Sequence, residues 1–307
     1  MKKIIYLAHV LLSILFGANL EEFDSDLALV EFLYSSHAAI EMKEVTKYRA
    51  INNYSQAIKM QKIEKGLEQY RKKPLETLEV SVNGTKNLLE LCKKNKSKLI
   101  FFSSSEIYGD PDPKNIPIQE SYRGNVSSLG PRACYDESKR LGETLCYVYK
   151  HYFNIHTNII RPFNIYGPGM QEIDYRVMPN FASNIKSSQN LKLYGSAKQT
   201  RTYCYVTDAI EGFIRVICLG KSGEAYNIGN NKPEVSVKNI YQVLKKIYKG
   251  KVNAVTVSHP KSYPNDEPQR RCPDLNKSIK HLGYIPKIKL TVGLQKYLDW
   301  AKVYYKY

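Results

Sequence analysis

Glycine is scarce at the start of this 307-residue chain, where only Gly17 and Gly66 occur between Met1 and Asn83. A G-x-x-G-x-x-G turn, whose glycines let backbone amides close on a pyrophosphate, therefore fits in no register there. The six cysteines include no C-x-x-C pair, and the six histidines no H-E-x-x-H and no i, i+4 pair, so neither a metal site nor a disulfide framework is expected. Acid is also in short supply, 29 Asp and Glu against 46 Lys and Arg, for a net charge of +17. The excess is diffuse, with no block of five or six bases and no aromatic-basic alternation. That argues against nucleic acid and leaves phosphate-bearing small molecules as partners. Residues 4–18 are apolar apart from His9 and Ser13 but too short to span a membrane comfortably. They read as a signal or anchor behind Lys2 and Lys3, or as a buried strand followed by a helix. With unpaired thiols the cytoplasm is the expected compartment, a signal or anchor at 4–18 being the alternative.

From Pro74 the punctuation becomes regular. Pro74 opens a helix with apolar positions at Leu75, Leu78, Val82, Leu88, Leu89 and Leu91 and a basic end at Lys93, Lys94 and Lys96. A short buried strand is expected at 98–102, a helix at 135–152 and a strand at 156–160 before the breaker Pro162. Strands and helices alternating at these lengths point to a parallel α/β sheet. Beyond Gly167 the spacing loosens: helices near 178–187, after Asp208, at 236–248 and at 291–304, and strands at 191–194 and 202–206. Asp208 is expected to cap the helix it precedes. A smaller mixed lobe resting on the sheet, with a ligand cleft between, fits this pattern.

The chemistry lies in four segments. Phe101-Phe102-Ser103-Ser104-Ser105-Glu106-Ile107-Tyr108-Gly109-Asp110 puts hydroxyls and one carboxylate just after a buried strand, at the carboxyl edge where open α/β sheets bind ligands. Tyr135-Asp136-Glu137-Ser138-Lys139 opens a helix with Tyr135 and Lys139 one turn apart. An ammonium beside a phenol lowers its pKa from about 10 toward neutrality, as a general base for an alcohol requires. Alone, that spacing is equally an ordinary surface pair, since 25 tyrosines among 46 bases generate it by chance. The order of the segments carries more weight. Gly130-Pro131-Arg132-Ala133-Cys134-Tyr135 follows the serine loop, and Arg161-Pro162-Phe163-Asn164-Ile165-Tyr166-Gly167-Pro168-Gly169 and Gln199-Thr200-Arg201 come next.

In that order the motifs resemble the extended short-chain dehydrogenase/reductases, the NAD-dependent epimerases and dehydratases of nucleotide sugars. The stretch from Tyr122 to Arg140 is most similar to the branch that decarboxylates UDP-glucuronate to UDP-xylose. The likeness runs from about Gln69 to the C-terminus. It implies an NAD-dependent enzyme of α/β class with a Rossmann-like, doubly wound parallel sheet. Residues 1–165 would form the cofactor domain, atypical over 1–68, and 166–307 a smaller mixed α/β lobe for the nucleotide sugar.

The resemblance also implies roles. Tyr135 would deprotonate the hydroxyl at C4 of the sugar, Lys139 would hold the nicotinamide ribose and tune Tyr135, and Ser104 would hydrogen-bond the same hydroxyl. Ser105 and Glu106 would attend the leaving carboxylate, where sister 4,6-dehydratases carry Thr-Asp-Glu and epimerases lack the glutamate. Ser103 and Pro162 would line the cofactor. Tyr108, Arg132, Asn164, Arg176, Arg201 and Arg271 would bind the substrate, Asn164, Arg201 and Arg271 around the diphosphate and uridine, where a planar guanidinium grips two oxygens at once. A homodimer through a helix bundle including 135–152 is a further implication. Two departures stand out: the missing glycine cradle and Ser81, where the family usually has Asn. A divergent Rossmann half, a shifted reading frame and an unrelated segment in a pseudoenzyme are three readings of the first 65 or so residues.

Overall fold

The structure, a computed structural model, describes residues 73–172, 174, 176–258 and 268–306. The expectations for Gly17, Gly66, residues 4–18 and the atypical segment 1–68 lie outside them. The described residues belong to one compact unit, Gly66–Tyr307.

Helix α1 (Pro74–Asn95) starts with proline at its first turn, where a missing N–H costs nothing, and ends on Lys96, whose left-handed backbone donates to the carbonyl of Cys92. Its buried residues are Ser81, Thr85, Leu89 and Cys92, a one-face stripe at helical spacing. Leu75, expected on the apolar face, is 72% exposed. The 3.6-residue period is as anticipated, but the buried face is rotated onto two hydroxyl residues. Thr85 offsets that by donating to the carbonyl of Ser81, 2.6 Å away.

Strand β1 (Leu99–Phe102), helix α2 (Ala133–Phe153) and strand β2 (Thr157–Pro162) follow. Next come β3 (Ile165–Tyr166), α3 (Val177–Lys186), β4 (Leu191–Tyr194), β5 (Thr200–Arg201), β6 (Cys204–Tyr205) and α4 (Val206–Leu219). The chain ends with β7 (Ala225–Ile228), β8 (Val235–Ser236), α5 (Val237–Ile247), β9 (Ala254–Val257), β10 (Arg270–Arg271), α6 (Asn276–Leu282) and α7 (Leu290–Tyr304). The main sheet runs β1-β2-β7, all parallel, with Phe101 opposite Ile159 and Ile159 opposite Ala225.

Side-chain alternation divides the sheet's residues between two cores. Leu99, Phe101 and Ile159 pack with Leu89 and Cys92 of α1 and Cys146 and Tyr149 of α2. Ile160, Tyr226 and Ile228, with Ile100 and Phe102 beside them, pack with Val216 of α4 and Leu282 of α6. Helices therefore cover both faces, and β2 is buried along almost its whole length. This is the doubly wound, Rossmann-like α/β arrangement. Burying one such aliphatic or aromatic side chain contributes about 1.5–3 kcal/mol. Gly142 sets the spacing of α2, because a Cβ there would stand 2.3 Å from the Phe101 ring.

The expected boundary between residues 165 and 166 falls inside β3, and β7, from beyond it, supplies the third strand of the main sheet. The remaining strands form small sheets, β10-β5-β8, β3-β6 and β4-β9. Of the expected strand at 202–206 only Cys204 and Tyr205, in β6, are extended and paired; β5 ends before it at Arg201, and Val206 already begins α4. Asp208 consequently lies within α4, and its role is corrected. Its carboxylate accepts from the backbone N–H groups of Lys287 (2.9 Å) and Ile288 (2.8 Å), tethering the segment before α7. None of the six cysteines is joined in a disulfide. Among the described residues no helix is long and apolar enough to cross a membrane, and no group of His, Cys, Asp and Glu could hold a metal ion.

Candidate functional site

The site is built at the carboxyl edge of β1. Ser103 continues the strand by donating its N–H to the carbonyl of Ile160 (2.8 Å), and its own hydroxyl is buried without a hydrogen-bond partner among the described residues. Ser104 is extended and its Oγ accepts from the backbone N–H of Glu106 at 3.2 Å, capping the single 3₁₀ turn Ser105–Tyr108. Gly109 then turns with φ of +59°, and a Cβ there would meet the carbonyl of Asn125 at 1.8 Å. The loop around Asn125 is thereby drawn onto the turn that presents Glu106.

The first turns of α2 supply the second wall. Tyr135 and Lys139 lie one turn apart, and Lys139 donates to the carbonyl of Phe102 (3.2 Å), with its Nζ 5.7 Å from the centre of the Tyr135 ring. The ammonium is thus pinned to the end of β1 beside the phenol. Arg132, just before the helix, and Asp136 also stand one turn apart, with Arg132 Nε 3.5 Å from Asp136 Oδ2.

Glu106 joins the two walls. Its carboxylate accepts from Arg132 and from Arg271 of β10, the latter with Nη2 3.0 Å from Oε2. Arg132 and Arg271 are 4% and 1% exposed. Burial by itself would push the Glu106 carboxyl up, but Arg271 and Arg132, with Arg201 farther off, overcome it and hold the group at about 2. Asp136 goes the other way. Burial pushes it up to about 7, Arg132 opposing and the Glu106 charge adding to the rise. Glu106, Arg132 and Asp136 line a cavity of about 310 Å³ together with Asp110, Asn125 and Gln269.

The other anticipated residues are placed as follows. Ser105 is buried behind Glu106. Tyr108 is fully buried, donates to Asn227 Oδ1 (2.8 Å) and accepts from Arg161 (2.7 Å), which is itself paired with Glu143 (2.6 Å). Its hydroxyl is therefore engaged inside the protein, where it ties the Glu106 turn to β2 and β7. Arg201 donates to the carbonyls of Thr200 (2.9 Å), Gln269 (3.1 Å) and Pro268 (2.5 Å). Asn164 adopts a left-handed backbone, φ of 41°, and its Nδ2 is buried without a partner among the described residues. Arg176 is exposed and paired with Asp174 (2.5 Å), and Pro162 closes β2. Ser103, Ser104, Ser105, Glu106, Arg132, Tyr135, Lys139 and Arg271 thus converge at the β1 edge.

Residues 40–229 match the NAD dependent epimerase/dehydratase family. The chain belongs to that family. It is 36% identical over 233 residues to UDP-glucuronic acid decarboxylase 1 of Xenopus tropicalis, covering 76% of this chain and 53% of the frog protein. It is 38% identical over 225 residues to UDP-glucuronic acid decarboxylase 6 of Arabidopsis thaliana, covering 73% and 63%. The chain thus spans little more than half the length of these relatives. Among solved structures, the UDP-glucuronic acid 4-epimerase of Bacillus cereus, in complex with UDP-glucuronic acid and NAD, superposes with a TM-score of 0.61 at 30% identity, covering 72% of this chain and 67% of that one. A dTDP-glucose 4,6-dehydratase of Streptomyces venezuelae shares the fold, with a TM-score of 0.66 at 24% identity over 77% and 70%.

The family's cofactor, NAD, can be tested against the residues present. The orphaned buried hydroxyl of Ser103 and the pinned ammonium of Lys139 sit together at the strand edge, where a polar nicotinamide-ribose end needs donors. They fit that end of the group. Sequence reasoning missed Asp136 and the carbonyls of Pro268 and Gln269. The first carried a signal, the Arg132-to-Asp136 spacing of one helical turn. The carbonyls belong to backbone and carry none.

Proposed function

We propose that this chain is an NAD-dependent nucleotide-sugar enzyme that decarboxylates UDP-glucuronate to UDP-xylose through a ketone at C4 of the sugar. The observation that carries the reading is Glu106, set directly after the serines and clamped by two buried arginines, Arg271 of β10 and Arg132 just before the helix that carries Tyr135 and Lys139. When bound, NAD supplies the acceptor and later the donor of hydride. Tyr135 takes the proton from the C4 hydroxyl, and Lys139 supports the phenolate and holds the nicotinamide ribose. Ser104, whose Oγ already accepts from the Glu106 N–H, donates its O–H to the same sugar oxygen. A ketone at C4 makes the neighbouring carboxylate a β-keto acid, so carbon dioxide departs once the carbonyl can take up its electron pair. Ser105 and Glu106 attend that carboxylate, and Arg271, expected at the diphosphate, is instead held with Arg132 on Glu106, so both guanidinium groups face it as well. Ser103 and Pro162 flank the cofactor, while Asn164, Arg201 and, farther out, Arg176 serve the nucleotide side, with Tyr108 supporting from below.

The exposed Leu141 and Tyr147 on α2 favour a homodimer through that helix, and cysteines not joined in disulfides favour a reducing, cytoplasmic setting. The test is incubation of the purified full chain with UDP-glucuronate and NAD, read by mass. UDP-pentose and carbon dioxide are expected. An isobaric product would signal epimerisation, and neither product would count against catalysis. The scarcity of glycine before Asn83 favours a second reading, a nucleotide-sugar binder without a working NAD site. Calorimetry with UDP-glucuronate and with NAD separates the two.

A further inference from the structure

Asp136 stands next to Tyr135 in sequence yet belongs to the arginine cluster in space. It is 6% exposed, its Oδ2 is 3.5 Å from Arg132 Nε, and its Oδ1 has no hydrogen-bond partner among the described residues. It lines the 310 Å³ cavity beside Glu106 and Arg132. A buried carboxylate with one oxygen orphaned is costly, and adding a proton turns the group into a donor. The charged groups around it are Arg132 on its own helix, Glu106 from the 3₁₀ turn and Arg271 from β10, with Arg201 of β5 acting on Glu106. With Asp136 neutral, the Arg132 and Arg271 guanidinium groups exceed the Glu106 carboxylate they share by one positive charge, with Asp110 the other carboxylate on the cavity wall.

We propose that Asp136 is a positioning residue that works in its protonated form, donating a hydrogen bond into the cavity and leaving the arginine pair one positive charge to match a sugar carboxylate. This rests on the reading of the substrate as a nucleoside-diphosphate uronate. It makes Asp136 a determinant of preference for an acidic over a neutral sugar. Loss of its proton places a negative charge beside the incoming carboxylate and draws on Arg132, so acidic-sugar affinity falls as pH rises through neutrality. A neutral sugar is indifferent to the change. The buried carboxyl, pushed up to about 7, places the transition in an accessible range.

The experiment measures affinity of the full chain for UDP-glucuronate and for UDP-glucose by calorimetry from pH 5.5 to 8.5, in wild type and Asp136→Asn. Asp136→Ser keeps a donor and does not titrate, and it serves if the Asn variant fails to fold. UDP-glucuronate should bind wild type roughly tenfold more weakly at the alkaline end, the effect of one nearby like charge. UDP-glucose should show no step, and the non-titrating variant should lose the step for UDP-glucuronate. Identical pH profiles in wild type and variant would overturn the proposal. Absence of binding by either sugar would instead sink the functional reading, and thermal unfolding of the ligand-free proteins then decides. Because the folded-state value lies above the ordinary aspartate value, wild type should lose stability relative to the variant as pH climbs from 4 to 7. Parallel curves would overturn the proposal on that count too.

Discussion

Arg271 and Glu106 are 165 positions apart in sequence and hydrogen-bonded in space, with the guanidinium 1% exposed and its Nη2 3.0 Å from the carboxylate. The contact fastens β10 to the turn that follows β1 and fixes the Glu106 carboxylate there. A buried pair of this kind is informative because removing either half leaves the other without its compensation.

Replacing Arg271 by methionine should cost about 3 kcal/mol of stability, near the low end for a broken buried pair because Arg132 still answers Glu106. Glu106→Gln in the same chain should recover part of that loss. Urea denaturation of the two single variants and the double variant checks this, and purely additive losses would mean that the two side chains are not coupled.

Acid should unfold the protein partly through Glu106. Its folded-state value of about 2 lies below the usual glutamate value, so its contribution is complete above about 4.5 and is lost as pH falls toward 2. Wild type should therefore lose on the order of 3 kcal/mol more than Glu106→Gln across that window. Denaturation midpoints at several pH values read the difference, and a constant gap would refute it.

Gly142→Ala should destabilise by about 1–3 kcal/mol through overpacking, since the new methyl would lie 2.3 Å from the Phe101 ring. Shortening the ring with Phe101→Leu should make the alanine better tolerated. A melting temperature for the double variant below the sum of the single effects would speak against this packing.

Tyr135→Phe removes the proposed base while keeping the ring between the serine loop and Lys139. Turnover of UDP-glucuronate should fall by about 10²–10⁴-fold, with calorimetric affinity for the sugar nucleotide little changed. Turnover persisting at the wild-type rate would remove Tyr135 from the chemistry.

Several features of this arrangement were legible along the chain because their physics is local. Pro74 and the basic end at Lys93 and Lys94 bound α1, the four-residue step from Tyr135 to Lys139 places both on one helical face, and Glu106 follows a short apolar strand. The surroundings of Asp208 and Arg271 were not legible, for the opposite reason. The partners of Asp208 are the N–H groups of Lys287 and Ile288, and those of Arg271 come from Glu106, so neither environment is written near the residue itself. The same holds for α1, whose period was readable while the choice of Ser81 and Thr85 for the buried face was not.

By itself, the order of residues determined the alternation of strands and helices, the one-turn step from Tyr135 to Lys139, and the shortage of glycine that sets the first segment apart. Helical period, proline and the reach of a side chain over one turn act within a few residues, so they survive reading in one dimension. Only the tertiary structure decided that β7 joins the sheet beside β2, that Arg132 and Arg271 share Glu106, and that Asp136 is buried against them. Those outcomes depend on desolvation and on charges brought together across the fold. Burial raises one carboxyl while paired guanidinium groups hold down its neighbour, and neither effect exists until the chain has closed around them.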